Sequence, residues 1–466
     1  SKIEVDAIDK QSGSTLTIGG SGTTVQLGTG ASQTGFGRTG TVDWQTSIKT
    51  TDFTAANGEG YFVNTTSGDV TVTLPASPSV GSIVAIKDYA NTADTNKITI
   101  NRNGSNIDGG TQNPILKNEG GAVTLVFADS TKGWLVTDAA QKSDLGFPTF
   151  ISASGGTETI VCTNFKVHTF TGPGTFTVSS VGNACGSNSV DYLVIAGGGG
   201  GGHGQACYQA SGGGGAGGYR ESPGTASGSY TVSPLGVSPA AAIPVSATAF
   251  PITVGGGGAG APDSPSPNPG GSNGNPSTFS TITSTAGGGG KGYDGASGLP
   301  GGSGGGAGTR NDPSPGFSPG TVGAGNTPSV TPPQGNPGGR GTQTPFGGPH
   351  SGGGGGGATG AGADGALAGP GGNGGAAATS SINGTPTARA GGGSGGSDTN
   401  TAGTVSGGGG VGGGTPLSPN QSEPGTAGTA NTGGGGGGGA AASAGGQSSS
   451  GGAGGSGIVI IRYRFQ

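Results

Sequence analysis

One stretch of this sequence, from about residue 197 to residue 457, limits what the chain can fold into. It holds 91 of the 117 glycines in a chain of 466 residues. Apolar runs with the character of strands bracket it, residues 190–196 before it and residues 458–465 after it. Glycine loses more conformational freedom on folding than any other residue, so ordering this stretch needs a compensating interaction. The stretch is therefore either a disordered tail or a domain with an unusual form of packing.

Scarce charge and the bracketing strands favour the ordered alternative. Disordered segments usually carry many charged residues, whereas few lie between these glycines. Extended glycine segments can form a left-handed helix with three residues per turn, and without side chains such helices can approach closely. The Gly-X-Y period of collagen is not kept, which excludes collagen. We therefore predict a slab of packed polyglycine II-like helices with loops at its two ends. The glycine runs that would form the helices are residues 197–202, 212–215, 255–258, 287–290, 352–357, 407–410 and 433–439.

Composition narrows the class of protein. A net charge of −5 is unlike the basic surface that nucleic acids require, so we expect no nucleic-acid partner. No apolar run is long enough for a transmembrane helix, and the polar N-terminus is unlike a signal peptide. We therefore expect synthesis in a cytoplasm and no membrane insertion. The three cysteines, Cys162, Cys185 and Cys207, form no metal-binding motif; a bridge between the first two is possible, but reduced thiols are favoured. No metal site and no cofactor are predicted.

The rest of the chain is predicted to be β-structure. Residues 1–45 form an attachment or connector segment with two strands, 15–18 and 23–27, too small to hold a core alone. Residues 46–140 alternate apolar and polar positions, which predicts an antiparallel β domain that trimerises. The remaining predicted parts are a linker at 141–148, a β-strand base at 149–196, the glycine-rich domain at 197–457 and a return strand at 458–466. The predicted fold class is thus all-β, with small antiparallel β domains, a glycine-rich domain and little or no α-helix.

Several of these segments together resemble a known family. The run Phe170-Thr171-Gly172-Pro173-Gly174-Thr175-Phe176 precedes the entry strand and its glycines, and Gly214-Gly215-Ala216-Gly217-Gly218-Tyr219-Arg220 lies within the stretch. The exit run Gly457-Ile458-Val459-Ile460-Ile461-Arg462-Tyr463 completes the pattern. The region from about 165 to 466 resembles the glycine-rich domain of bacteriophage tail-fibre adhesins, which many marine phages carry. Residues 69–82 and 134–136 are similar to small β domains of phage fibre shafts.

The resemblance implies a function. Such fibres are usually homotrimers, and some of their glycine-rich domains bind a surface receptor through distal loops. It implies a virion protein that docks through residues 1–45 on an upstream tail, baseplate or capsid protein. Its receptor would be a host-surface glycan or outer-membrane protein. Two alternatives stay open: a capsid or tail decoration fibre with a structural role, and an extracellular matrix or filament protein of a bacterium.

Candidate contact residues are the aromatic and charged side chains set between glycine runs. Aromatic side chains supply rigid contact area at a low cost in entropy. The alternative for each residue is that it fills a gap at the edge of the slab or packs under a flanking strand. Catalysis is not expected, because His168, His203 and His350 are scattered and no nucleophile-base spacing is present. The candidate receptor-binding residues are His203, Tyr208, Tyr219, Arg220, Lys291, Tyr293, Asp294, Arg310, Phe317, Arg340, Phe346 and His350.

Overall fold

The computed structural model contains strands and no helix in the part of the chain that it describes, which confirms the all-β fold class. The chain divides into two compact units, residues 1–145 and 146–466. The predicted strands at 15–18 and 23–27 lie outside the described residues. The structure describes residues 42–138, 145–146, 148–183, 185–205, 209–228, 230–263, 270–292, 297–309, 320–342, 350–399, 401–414, 422–440 and 448–466.

The first unit is built from two five-stranded sheets whose strands alternate along the chain. One sheet has the order β1-β3-β5-β8-β9 and the other β10-β7-β6-β4-β2. Apolar side chains such as Val72, Ile86 and Ile100 are fully buried. The strands are β1 (Asp43–Trp44), β2 (Phe53–Thr54), β3 (Glu59–Val63), β4 (Val70–Thr73), β5 (Ile83–Asp88), β6 (Ile98–Asn101), β7 (Ile115–Leu116), β8 (Ala122–Asp129), β9 (Gly133–Asp138) and β10 (Leu145–Gly146).

The pairing of these strands corrects the prediction of an antiparallel domain. Strands β1, β3 and β5 pair in parallel, and so do β2, β4 and β6. Successive strands therefore enter opposite sheets instead of forming hairpins. Only the later pairs, such as β5 with β8 and β8 with β9, are antiparallel. The alternation of apolar and polar residues is the same in both kinds of pairing, so the sequence pattern could not distinguish them.

The second unit begins with a base of two sheets packed around an apolar core. One sheet has the order β11-β14-β18-β19-β20, and the other β12-β13-β23-β15-β16, with β17 also paired to β15. Phe176, Phe279 and Tyr463 are among the buried rings between them. The strands are β11 (Ser152–Ser154), β12 (Thr157–Val161), β13 (Phe165–Phe170), β14 (Gly174–Ser180), β15 (Ser189–Ile195), β16 (Tyr219–Glu221), β17 (Ile243–Pro244), β18 (Ala249–Thr253), β19 (Ser277–Phe279), β20 (Ile282–Ser284), β21 (Ala378–Ser380), β22 (Thr387–Arg389) and β23 (Ile458–Arg464).

The two strands that bracket the glycine stretch are neighbours in the base. Strand β23 pairs antiparallel with β13 on one side and with β15 on the other. This confirms the predicted entry strand and return strand. Strands β16 to β20 come from within the glycine stretch, so the chain returns to the base several times before it ends.

The glycine runs leave the base as segments that pair by backbone hydrogen bonds with a repeat of three residues. Gly199 and Gly202 donate to the segment at 212–215, Gly197 and Gly200 to the segment at 272–275, and Gly198 and Gly201 to the segment at 452–455. The carbonyl groups of 197–202 accept bonds from three further segments, at 258–261, 287–290 and 436–439. Each N–H and C=O group of this run is therefore paired, which removes the cost of burying the backbone.

The segments form a round bundle, which corrects the predicted slab. A central run, residues 212–217, is bonded to six other runs, and each of those is bonded to the next, so they close into a ring. Every residue of the ring is buried. The ring comprises residues 197–204, 286–290, 303–309, 350–358, 390–397 and 433–440. Outside it, described outer segments bond to the ring at residues 253–263, 270–276, 297–301, 320–325, 334–342, 360–366, 371–377, 401–407, 409–414, 422–430 and 449–457.

Most positions of the inner runs require glycine because a side chain would have no space. A Cβ atom added to Gly214 in the central run would lie 2.1 Å from the carbonyl oxygen of Gly199. A Cβ atom on Gly201 would lie 1.9 Å from the carbonyl oxygen of Gly437. Real Cβ atoms do not approach backbone oxygens so closely, so no other residue fits without displacing a neighbouring segment. Outer segments need glycine where they face the ring, as at Gly425 and Gly428, and also where two outer segments meet, as at Gly257, whose added Cβ would lie 1.8 Å from the carbonyl oxygen of Gly454.

Candidate functional site

The bundle has two ends, and the direction of its segments decides which residues lie at each end. Strand β15 leads directly into run 197–204, so this run points away from the base. The central run leads into β16 and therefore points towards it. Hydrogen-bond registers give the direction of the other segments. The turns at the far end, opposite the base, thus follow the outgoing segments and precede the returning ones.

Of the twelve candidate residues, His203, Lys291, Arg340 and His350 lie at the far end of the bundle. Tyr219 and Arg220 lie at the opposite end, in β16 of the base. The remaining six lie outside the described residues, and the described residues that flank them lie at the far end. Those six are Tyr208, Tyr293, Asp294, Arg310, Phe317 and Phe346.

Aspartates hold the described turns at the far end. The side chain of His203 is buried, with Nε2 at 3.5 Å from Oδ1 of Asp263, and the Ser448 hydroxyl donates to the same oxygen. Burial lowers the pKa of His203, although Asp263 opposes this. The backbone N–H of Arg340 donates to Oδ1 of Asp364 at 2.7 Å. These contacts join the turns to one another through side chains, whereas backbone hydrogen bonds join the segments of the bundle.

A second histidine is held in the same way at the far end. The side chain of His350 is buried, and its Nδ1 lies 3.8 Å from Oδ2 of Asp398. The backbone N–H of His350 donates to Oδ1 of the same aspartate at 2.8 Å. Both histidines are thus part of the far-end framework, whereas the side chains of Lys291 and Arg340 are partly or fully exposed.

Tyr219 is a core residue of the base. It is 1% exposed, and its hydroxyl donates to Oε2 of Glu221 at 3.0 Å. Glu221 also accepts a bond from the hydroxyl of Ser380 at 2.5 Å, and burial raises its pKa. This contact joins the base to the hairpin of β21 and β22. Arg220, the next residue along β16, is only partly buried and faces the other side of the sheet.

Buried charges in the base were missed by the sequence analysis. Asp191 accepts bonds from Ser222 at 2.8 Å and from the Ser227 hydroxyl at 2.5 Å. Arg462 is fully buried between the rings of Phe165 and Tyr230, at 4.6 and 5.1 Å from their centroids. Its guanidinium donates to the carbonyl oxygen of Ile382 at 3.3 Å. A charged residue inside an apolar strand, as in Ile461-Arg462-Tyr463, is the signal that could have identified them.

His168 also belongs to the framework of the base. Its ring lies beside the ring of Tyr463, and its Nε2 is 3.1 Å from the Tyr463 hydroxyl. Its Nδ1 lies 2.7 Å from the carbonyl oxygen of Gly155. Burial lowers the pKa of His168. The three histidines thus occupy separate positions, one in the base and two at the far end.

Neither a cluster of metal-binding side chains nor a membrane-spanning helix occurs within the described residues. Within the described residues, no three His, Cys, Asp or Glu side chains lie close enough together to hold a metal ion. Cys162 and Cys185 are free thiols, and Cys207 lies outside the described residues. None of the described segments forms a helix long and apolar enough to cross a membrane.

The fold and the arrangement of side chains define an all-β protein with a glycine-rich bundle. Residues 169–464, more than half of the chain, match the family model described as a glycine-rich domain. The chain belongs to this glycine-rich domain family. A comparison with curated proteins found no match.

Proposed function

We propose that this chain is a non-enzymatic virion fibre protein of a bacteriophage, in which the glycine-rich bundle presents loops that bind a receptor on the host cell. The phage assignment is supported by the resemblance of residues 165–466 to tail-fibre adhesins. The receptor would be a glycan or an outer-membrane protein. Binding at each fibre can be weak, because several fibres engage one cell.

This proposal rests on the distribution of charged side chains along the bundle. The described charged residues of the bundle lie either in the base or at the far end. Outer segments between the ends expose small or neutral residues such as Ala259, Asn373 and Val411. Loops in other proteins often carry binding residues while a rigid scaffold positions them. The interior of the bundle admits only small side chains such as Ala216 and Ser303, so larger side chains are left for its ends.

We also propose that the glycine segments are polyglycine II helices. The three-residue repeat of the hydrogen bonds and the six neighbours of the central run support this conformation. An experimental structure of the full chain should then show φ and ψ of residues 198–201 near about −75° and +145°. Values typical of β-strands, with each segment bonded to only two neighbours, would contradict this part of the proposal.

A cell-adsorption experiment tests receptor binding. The full chain is labelled and incubated with a panel of marine bacterial isolates. A variant with Phe317→Ser and Phe346→Ser changes two candidate contacts, and Val411→Ser changes one exposed residue on the side of the bundle. We expect the double variant to lose adsorption and Val411→Ser to retain it. Adsorption that survives the double variant, or an absence of adsorption by the unaltered chain across the panel, would count against the proposal.

A separate experiment tests the proposed roles of the N-terminal part of the chain. We propose that residues 46–140 form a trimer and that residues 1–45 dock on an upstream virion protein. The exposed side chains of Val80 and Tyr89, 78% and 53% accessible, support an association surface within residues 46–140. Light scattering of the full chain should give three times the mass of one chain. A monomer at micromolar concentration would contradict the trimer, and imaging of the particle would locate the docking site.

A further inference from the structure

A pocket of about 420 Å³ opens between the edges of the two base sheets. Strands β16 and β17 border it on one side and β20 on the other. Its size is within the range of small-molecule sites, roughly 300 to 1,000 Å³. Its lining combines apolar walls with a few polar groups, which is typical of such sites. The residues that matter to the argument are Tyr192, Arg220, Pro239, Ile243, Ile282 and Thr331.

Two polar groups in this pocket have no partner among the described residues. Arg220 is opposite Val194 in the pairing of β15 with β16, so its side chain lies on the face of the sheet that carries Tyr192. Neither the guanidinium of Arg220 nor the hydroxyl of Tyr192 forms a hydrogen bond or an ion pair with any described residue. Arg220 is nevertheless close enough to oppose the rise in the pKa of Tyr192 that burial causes.

The neighbouring carboxylates do not neutralise Arg220. Asp191 and Glu221 are two buried acidic groups of these strands, and they alternate with Tyr192 and Arg220 along β15 and β16. They therefore point to the opposite face of the sheet. There they accept hydrogen bonds from Ser222, Ser227, Tyr219 and Ser380. A positive charge and a phenolic donor thus face the same pocket with no described acceptor.

We propose that this pocket is a second binding site, distinct from the far end, and that it takes a monosaccharide bearing a carboxylate. The planar guanidinium of Arg220 would bind the carboxylate through two parallel hydrogen bonds, and the Tyr192 hydroxyl would donate a third. Pro239, Ile243 and Ile282 would contact the apolar face of the sugar ring. The hydroxyl of Thr331 at the rim can bond to the hydroxyl groups of the sugar.

The chemistry of the lining favours a sugar acid over a simple anion. A small inorganic anion would fill little of the pocket and would leave the apolar walls in contact with water. A purely apolar ligand would leave Arg220 unpaired and desolvated, which is costly. A ring with one carboxylate, one apolar face and several hydroxyl groups matches all parts of the lining.

Saturation-transfer NMR and calorimetry on the full chain test the proposal with glucuronic acid, glucose and inorganic phosphate as probes. We expect glucuronic acid to bind and glucose to bind much more weakly. Arg220→Gln should weaken glucuronic acid binding about ten- to a hundredfold, because a charge-assisted hydrogen-bond pair is lost. Tyr192→Phe retains the buried ring and should weaken it about three- to tenfold. Arg464→Gln, which changes an exposed arginine of β23 outside the pocket, is the control and should not change it.

Several results would overturn the proposal. These are an absence of glucuronic acid binding, equal binding of glucose, or unchanged affinity in Arg220→Gln. Phosphate binding as tight as glucuronic acid binding would also overturn it, since it would reduce the site to a general anion site. Melting temperatures of the variants establish that each one is folded. Adsorption to cells should persist in Arg220→Gln, so failure of this site and failure of the far-end receptor site are distinguishable.

Discussion

The base and the bundle of the second unit exclude water in different ways. The base has a side-chain core, in which the rings of Phe176 and Phe279 lie 6.1 Å apart. The bundle has a backbone core, in which Gly214 donates to Gly436 and accepts from Gly393. Apolar surface stabilises the first, whereas paired backbone groups and close van der Waals contact stabilise the second.

Opposite kinds of substitution should therefore destabilise the two cores. Removing a methyl or methylene group from the base leaves a cavity, because its side chains fill the space between two sheets. Adding a methyl group to the bundle forces whole segments apart, because its neighbours are backbone atoms that cannot rotate away. The predictions below test this difference, from the largest effect to the smallest.

The largest effect is expected from Gly214→Ala in the central run. Its Cβ would lie 2.1 Å from the oxygen of Gly199 and 2.9 Å from that of Gly200. We expect a loss of about 3 kcal/mol or more in the free energy of unfolding, measured by chemical denaturation.

The matched control is Gly256→Ala on an outer segment. The nearest atom to its added Cβ would be Nδ2 of Asn275, at 3.8 Å, so the methyl group has room. The change should stay within about 0.5 kcal/mol. Equal effects at the two positions would show that close packing does not decide the stability of the bundle.

A smaller effect is expected from Ile461→Val in the base. Ile461 is fully buried among the apolar residues between the two sheets. Removing one methylene there should cost about 1 kcal/mol, also measured by denaturation. A change as large as that of Gly214→Ala would mean that the base is the more tightly constrained of the two cores.

Near neutral pH, the smallest effect is expected from the protonation of His168. Burial lowers the pKa of His168, so the folded state holds this ring neutral while the unfolded state takes up a proton below about pH 6.5. The contribution of neutral His168 to the free energy of unfolding should be fully present above that pH. It should decrease as the pH falls, by less than about 1.4 kcal/mol per pH unit for one group. His203 has the same sign of shift in the bundle. His168→Gln should reduce the slope between pH 5 and 7, and an unchanged slope would exclude His168 as its source.

Much of the β-structure could be predicted from the sequence. The alternation in Val70-Thr71-Val72-Thr73 and the continuous apolar run before residue 197 both correspond to strands. The place of the return strand was also predictable, because an apolar run after so much glycine needs a sheet to bury it. Whether pairs are parallel was not predictable, since it depends on which sheet each strand enters.

The arrangement of the bundle could not be predicted from the sequence for a physical reason. Its inner runs have nearly the same sequence, so nothing in 197–202 or 352–357 specifies a neighbour. Their partners are decided by the lengths of the connections and by the returns to the base through strands such as β16 and β19. The round shape follows from the closed ring and not from any local pattern.

The site was predicted in part. Candidate residues were chosen because they stand between glycine runs. Of those that the structure describes, His203, Lys291, Arg340 and His350 lie at the far end, but the criterion missed Asp263, Asp364 and Asp398 there. It also selected Tyr219, which the structure places in the core, because a glycine run can lead into a strand as well as into a loop. The pocket at Arg220 depends on two sheets meeting, so only Arg220 itself could be singled out from the sequence.

Hydrogen-deuterium exchange of the full chain tests most directly whether backbone packing orders the glycine-rich bundle. Fragments that contain the central run, residues 212–217, should exchange as slowly as those that contain β15, because all of these amides are buried and bonded. Fragments from the outer segment at 422–430 should exchange faster. Exchange of the central run at the rate of an unstructured peptide, while β15 stays protected, would contradict the account.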